Sequence, residues 1–177
     1  MRTVILATAL AFPTAIFAAG SDDSTPPTPT NTTKECTNGM VWDANSKACV
    51  APKESRLDSD TLYGAVREFA YAGKISAAQA ALRAMPDQTD DRVLTYWGFT
   101  ERKLGNLDAA NVFYTKALTQ NPDNILARSY MGQGYVESGQ TDLARAELTE
   151  IRTRGGRGTW AELSLRMAIE KGAGYSY

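Results

Sequence analysis

The feature that most constrains this chain of 177 residues is an internal repeat with an offset of 34 residues. The pairs of identical residues that share this offset include Gly98 and Gly132, Gly105 and Gly139, Asp108 and Asp142, and Ala110 and Ala144. An earlier unit aligns at an offset of 32, where Gly73, Ala78 and Leu82 match Gly105, Ala110 and Tyr114. A fixed period of this length predicts one supersecondary unit used several times, each copy packing on its neighbours.

Between these markers, apolar residues recur at steps of three and four, which is the spacing of one face of an α-helix. Seven stripes result: Leu62, Val66, Phe69 and Ala70; Ile75, Ala78, Leu82 and Met85; Leu94, Trp97 and Leu104; Ala110, Tyr114, Ala117 and Leu118; Tyr130, Met131 and Tyr135; Ala144, Leu148 and Ile151; Trp160, Leu163 and Met167. Each predicted helix has about three turns and is too short to persist alone in water. We therefore expect the helices to pack on one another.

The repeated glycines predict two different roles. Gly73, Gly105 and Gly139 fall between paired helices, where glycine readily adopts the backbone that a tight turn requires. Gly98 and Gly132 fall inside the first helix of their units, where glycine costs about 1 kcal/mol relative to alanine. We expect a neighbouring helix to cross at those two positions, leaving no room for a side chain.

The second unit carries Tyr96-Trp97-Gly98, Leu104-Gly105, Ala110, Tyr114, Ala117 and Pro122, which together resemble the tetratricopeptide signature of small and large residues. The third unit has Gly156 where the proline is expected, and the first has Val66 where the first glycine is expected. The resemblance implies an all-α fold over residues 58–172, an α-α superhelical stack of three helical hairpins. Their bounds are about 59–90, 91–124 and 125–158, with a capping helix at 159–171 and a frayed tail from residue 173.

In this family, the first helix of each hairpin lines a concave groove. The resemblance implies a protein-binding groove formed by Tyr63, Arg67, Tyr71, Arg92, Thr95, Phe99, Arg102, Lys103, Ser129 and Gln133. Exposed aromatic residues beside arginine are enriched in recognition surfaces. We therefore expect a protein or peptide partner of acidic character. The alternative is that these residues are ordinary solvated charges whose stems pack on the surface.

The first nineteen residues predict a secretory signal peptide. Arg2 precedes an apolar run from Val4 to Phe12, and small residues at 18–20 offer a cleavage site. The alternative is an uncleaved membrane anchor, but the apolar stretch is shorter than the ~20 residues that a spanning helix needs. We therefore expect a bacterial protein of the periplasm or one that is secreted, without a stable membrane span after signal cleavage.

Two further segments precede the repeats. Residues 20–34 are rich in Ser, Thr and Pro, which predicts a disordered linker. Residues 35–56 contain both cysteines, Cys36 and Cys49, and in an oxidising compartment they predict one disulfide closing a small β-hairpin. The chain-entropy relation gives such a ring about 3 kcal/mol of stabilisation. The spacing around Trp42 also resembles a fragment of small chitin-binding modules, so the alternative function is cell-wall or carbohydrate binding through this loop.

Composition argues against several other functions. The chain has no histidine, which removes the commonest general base and the commonest metal ligand. Two cysteines without histidine are too few for a structural zinc site, and a net charge of −1 without a basic cluster is unlike a nucleic-acid-binding protein. We predict a scaffold rather than an enzyme, with no cofactor, metal or nucleic acid. The sequence sets neither the partner nor the oligomeric state.

Overall fold

The computed structural model describes residues 25–54 and 56–175 of the chain. An N-terminal part contains helix α1 (Asn31–Lys34) and strands β1 (Val41–Asp43) and β2 (Ala48–Val50). Seven longer helices follow: α2 (Ser59–Tyr71), α3 (Ile75–Ala84), α4 (Asp91–Lys103), α5 (Leu107–Gln120), α6 (Ile125–Glu137), α7 (Thr141–Thr153) and α8 (Trp160–Lys171). The all-α prediction is confirmed. The predicted signal peptide, 1–19, lies outside the described residues.

The helices pack as successive hairpins. α2 packs on α3, α4 on α5 and α6 on α7, and each second helix also contacts the first helix of the following unit. The first helices α2, α4 and α6 additionally pack on one another in order, and α8 continues this row beyond α6. The helices α2, α4, α6 and α8 therefore share one side of the stack, which we call the inner face. In the described part of the chain, no helix has the length and apolar character needed to cross a membrane.

The three turns within the hairpins have one geometry. Gly73, Gly105 and Gly139 have φ angles of +69°, +85° and +76°, a region that favours glycine. In each turn the amide after the glycine donates to a carbonyl five residues earlier, for example from Lys74 to Phe69 at 2.9 Å. These bonds satisfy carbonyls that the helix end leaves without partners. The prediction that these glycines form the turns is confirmed.

The two repeated glycines inside first helices, Gly98 and Gly132, lie at close approaches. A Cβ atom at Gly98 would lie 2.4 Å from Cε1 of Tyr114 on the paired helix α5. At Gly132 the nearest obstacle is Leu165 of α8, at 2.8 Å, rather than a residue of the paired helix α7. The expected crossing is therefore present at both glycines, but at Gly132 the crossing helix belongs to the following unit.

The hydrophobic core follows the predicted stripes with two clear exceptions. Ala78, Ala110 and Ala144, the small residues at matching positions of the three units, are buried. Leu104 and Leu163 were expected in the core, but they are 54% and 38% exposed. Leu104 caps the end of α4, where the chain turns away from the core.

The disulfide-closed hairpin is present as predicted. Cys36 and Cys49 form a disulfide, and β1 and β2 pair antiparallel with Trp42 opposite Cys49. Val41 is fully buried and joins the core of the helical stack. The hairpin is thus attached to the repeats rather than held at a distance from them.

Residues 25–34 differ from the disordered linker that their composition predicts. The Glu68 carboxylate on α2 accepts hydrogen bonds from the Thr30 amide at 2.7 Å, the Thr30 hydroxyl at 2.6 Å and the Thr33 amide at 3.0 Å. It also accepts one from the Thr33 hydroxyl. Arg67 donates to the Thr25 carbonyl oxygen at 2.9 Å. One buried carboxylate therefore supplies the acceptors that hold this polar segment, which composition does not reveal.

Candidate protein-binding face

The inner face has an aromatic layer that runs across its helices. The ring centroids of Tyr63 on α2 and Tyr96 on α4 are 5.7 Å apart, and those of Phe99 on α4 and Tyr130 on α6 are 4.8 Å apart. Tyr71 at the end of α2 stacks on Phe99 at 5.8 Å. Aromatic pairs at these separations contribute about 0.5–1.5 kcal/mol each beyond the burial of their area. The layer therefore fixes the relative positions of the first helices.

A chain of hydrogen bonds joins the two ends of this face. Nε1 of Trp160, the first residue of α8, donates to the Tyr71 hydroxyl at 2.7 Å. The hydroxyl oxygens of Tyr71 and Tyr130 are 2.5 Å apart. The first and last inner helices, α2 and α8, thus meet through their side chains. We call the part of the inner face that these residues border the cleft.

The ten residues of the predicted groove all lie on α2, α4 and α6, but most are not exposed. Seven of the ten are at most 3% exposed: Tyr63, Arg67, Thr95, Phe99, Arg102, Ser129 and Gln133. Only Tyr71, Arg92 and Lys103 are partly exposed. The structure therefore places all ten predicted residues on the expected helices. Seven of them were expected to be exposed but are buried. Partner binding by these residues stays a prediction.

Several of the buried residues have partners within the chain. Nη1 of Arg102 lies 2.5 Å from Oε1 of Glu137, and its Nη2 donates to Oε1 of Gln133 at 3.2 Å. The Thr95 hydroxyl donates to the Asp91 carbonyl oxygen at 2.7 Å and accepts from Asn124 at 3.0 Å. These contacts order the cleft, since each polar group that leaves water requires a partner.

Arg92 and Lys103 are the partly exposed cations of the face. Arg92 pairs with Asp90 at 3.1 Å and lies 4.8 Å from the centre of the Tyr63 ring. The Lys103 ammonium donates to the Tyr175 carbonyl oxygen at 2.8 Å and lies 5.6 Å from the centre of the Phe99 ring. Burial and the nearby Arg102 guanidinium lower the pKa of Lys103 from 10.5 to about 8, against the opposite effect of the Glu137 carboxylate.

This pKa predicts a pH-dependent stability. The unfolded chain binds more protons than the folded one between about pH 8 and 10.5, so the penalty of burying the Lys103 charge is present below pH 8 and is relieved as the pH rises. For this half-exposed group we expect about 1 kcal/mol after discounting for solvent screening. Relative to Lys103→Met, the wild type should gain that amount between pH 7 and pH 10 in urea unfolding. Lys116→Met controls for the loss of an exposed charge, and a constant difference would contradict the assignment.

Sequence reasoning missed three residues that shape this face. Glu68 was not singled out, Trp160 was assigned only to the capping helix, and Tyr175 was assigned to a frayed tail. In the structure Tyr175 packs edge-on against Trp160, with ring centroids 5.3 Å apart. A cavity of about 400 Å³ lies beside them, lined by Pro26, Pro27, Pro29, Thr33, Glu68, Tyr71, Ala72, Trp160 and Tyr175. Only the aromatic character of Tyr175 could have indicated its role.

The comparisons with known proteins agree with this architecture. Residues 101–157 match the family model described as Tetratricopeptide repeat. The chain is 29% identical over 111 residues to a protein of Escherichia coli O157:H7 named "Putative cellulose synthase operon protein C". That match covers 62% of this chain and 9% of the relative. No solved structure matches the chain significantly. Residues 101–157 thus match a tetratricopeptide repeat model, in agreement with the resemblance that the sequence predicts.

Neither comparison supports the carbohydrate-binding alternative. Trp42, the expected stacking residue, is only partly exposed, and its backbone amide donates to the Thr32 hydroxyl at 3.2 Å. The hairpin instead packs on the helical stack through Val41.

Proposed function

We propose that this protein is an interaction scaffold that binds a peptide segment of another protein in the cleft of its inner face. Tetratricopeptide repeats suggest a protein-interaction scaffold, and proteins of this family are generally non-catalytic. The observation that carries the proposal is the aromatic layer, at whose edge Tyr71, Arg92 and Lys103 are partly exposed. Aromatic and arginine side chains at such an edge are the types enriched in recognition surfaces.

The proposed location is the periplasm or the outside of the cell. Two observations support it: the signal-like character of residues 1–19 and the disulfide between Cys36 and Cys49. Disulfides persist in oxidising compartments and are rare in the cytosol. The relative carries a name that refers to a cellulose synthase operon, but this chain spans 9% of its length. We therefore derive neither a partner nor a pathway from that name.

The acidic character of the partner, which the sequence suggests, has less support than the binding of a partner in the cleft. Arg92 lies beside Asp90, with Asp60 at 3.8 Å, and Arg102 lies beside Glu137. An incoming carboxylate would compete with these acidic groups for the same cations. We propose that apolar and backbone contacts, rather than charge, provide most of the affinity for the partner.

Site-specific photocrosslinking in the full chain tests the proposal. A photoreactive phenylalanine derivative in place of Tyr71 or Arg92 should crosslink a protein from the envelope of the native host, because both positions border the cleft. The same derivative at Val112 or Leu143, exposed on the second helices α5 and α7, provides the matched control. Crosslinks from Val112 and Leu143 alone would move the binding surface away from the inner face and overturn the proposal.

A further inference from the structure

The described C-terminal residues lie in the cleft as a bound peptide would. The Tyr175 amide donates to Oε1 of Gln133 on α6 at 3.3 Å, while its carbonyl oxygen accepts from Lys103 on α4 at 2.8 Å. Both polar groups of one backbone residue are therefore held by side chains of neighbouring first helices. Contacts of this kind recognise an extended backbone without reading its sequence.

The Gln133 side chain is oriented for this role. It is fully buried, and its Nε2 lies 3.5 Å from the Ser129 hydroxyl and 3.4 Å from the Ser164 hydroxyl. The serine hydroxyls thus engage the nitrogen of the amide and leave the oxygen facing Arg102 and the backbone of Tyr175. The acceptor is part of the folded stack and is set before any peptide arrives.

The side chain of residue 175 provides one element of specificity. Its ring meets Trp160 edge-on, and Trp160 is held by its hydrogen bond to Tyr71. The adjoining cavity of about 400 Å³ leaves space beside the ring. An aromatic side chain at this position therefore finds a preformed aromatic partner, which favours it over an aliphatic one.

The preceding residue provides the second element. A Cβ atom on Gly174 would lie 1.7 Å from Oε1 of Glu137 and 2.9 Å from Nη1 of Arg102. Both atoms end long side chains that are joined by an ion pair at 2.5 Å, so room for a Cβ atom requires that pair to shift. The position before residue 175 therefore favours glycine in a peptide that reaches the Lys103 and Gln133 contacts.

We propose that the cleft is a receptor for an extended Gly-Tyr segment of a partner protein, and that Gly174 and Tyr175 occupy it in cis until the partner displaces them. The inference rests on the proposed function and names the chemistry of its ligand. A tethered segment acts at an effective concentration that is commonly in the millimolar range. A partner must compete with this tethered segment for the cleft. It can do so through a high local concentration or through further contacts with the protein.

The test uses the full chain and a capped synthetic peptide of residues 171–176, acetyl-Lys-Gly-Ala-Gly-Tyr-Ser-amide. Gly174→Ala weakens the docking of the tail in cis and leaves every cleft residue intact. We expect the peptide to bind this variant about tenfold more tightly than the wild type, because the tethered competitor is lost. The readout is the NMR shift of the Trp160 indole N–H, which lies at the aromatic subsite. Ala173→Ser, at an exposed neighbouring residue, is the matched control and should bind like the wild type.

Two further arms keep the proposal falsifiable. A peptide with alanine in place of the glycine before tyrosine should bind Gly174→Ala more weakly than the parent peptide does. Lys103→Met added to Gly174→Ala should weaken binding about tenfold through the lost carbonyl contact. Tyr175→Ala replaces Gly174→Ala if the latter fails to fold. Equal affinities of the wild type and Gly174→Ala, or equal binding of the alanine peptide, would overturn the proposal. Concentration-dependent dimers of the wild type with exchanged tails would also overturn it, since the occupant would then be a second copy.

The two proposals fail separately. If inner-face crosslinks at Tyr71 and Arg92 persist while the peptide fails to bind Gly174→Ala, the scaffold function stands and the Gly-Tyr assignment is wrong. If the peptide binds as expected but the crosslinks arise only from Val112 and Leu143, the cleft holds the tail and the partner binds elsewhere.

Discussion

Gly98→Ala should lower the free energy of unfolding by about 2–3 kcal/mol. The new methyl group would lie 2.4 Å from Cε1 of Tyr114, whose ring is fully buried and cannot rotate away within the α4–α5 interface. The two helices must therefore separate, and the packing lost between them exceeds the gain in helix propensity that alanine normally brings. Urea unfolding followed by circular dichroism measures the change directly.

Gly64→Ala provides the matched control for this prediction. Gly64 also lies inside a first helix, α2, but no atom outside its own helix lies within 4 Å of a Cβ placed there. With space available, the substitution should stabilise the protein by up to about 1 kcal/mol, because alanine is the better helix former. The two substitutions should thus have opposite signs, and a stabilising Gly98→Ala would show that α4 and α5 do not cross as described.

Glu68→Ala should destabilise the protein by about 2–3 kcal/mol, since a carboxylate that accepts several hydrogen bonds stabilises a fold more than a neutral acceptor. The side chain is buried and accepts from the amides and hydroxyls of both Thr30 and Thr33. Without it, residues 25–34 lose their main attachment to α2. Limited proteolysis should then cleave within this segment before the helices, and calorimetry should report a lower Tm.

Glu35→Ala is the control for charge. Glu35 follows α1 directly, is exposed, and its removal changes the net charge by the same amount. We expect little change in Tm and no increase in cleavage within residues 25–34. Equal cleavage of the Glu68→Ala variant and the wild type would show that the segment is held by other contacts.

The helical hairpins could be predicted because their signals are local. The three- and four-residue spacing of apolar residues and the glycines at 73, 105 and 139 each act within one hairpin. The disulfide followed from a count of two cysteines. Even the close approach at Gly98 could be expected, since a repeated glycine inside a helix is costly unless a neighbour requires it.

The contacts that Thr25 and Tyr175 make with the first helices could not be predicted, because they join distant parts of the chain. Arg67 reaches Thr25 across 42 positions and Lys103 reaches Tyr175 across 72. Composition alone classes both of these contacting segments as polar or terminal, since nothing in them is strongly apolar. The side chains that hold them, such as Glu68, Lys103 and Gln133, lie far apart in the sequence and leave no periodic pattern there.

The hydrogen bond from Trp160 to Tyr71 limits how this architecture can evolve. An open solenoid gains or loses a hairpin at little cost, because each unit touches only its neighbours. Here the terminal helices are latched to each other, so duplicating one unit would carry the indole beyond reach of the phenol and break the latch. Selection on this protein should therefore preserve the number of its hairpins. Sequence variation should instead fall on the partly exposed residues at the edge of the cleft that lie outside this latch, Arg92 and Lys103.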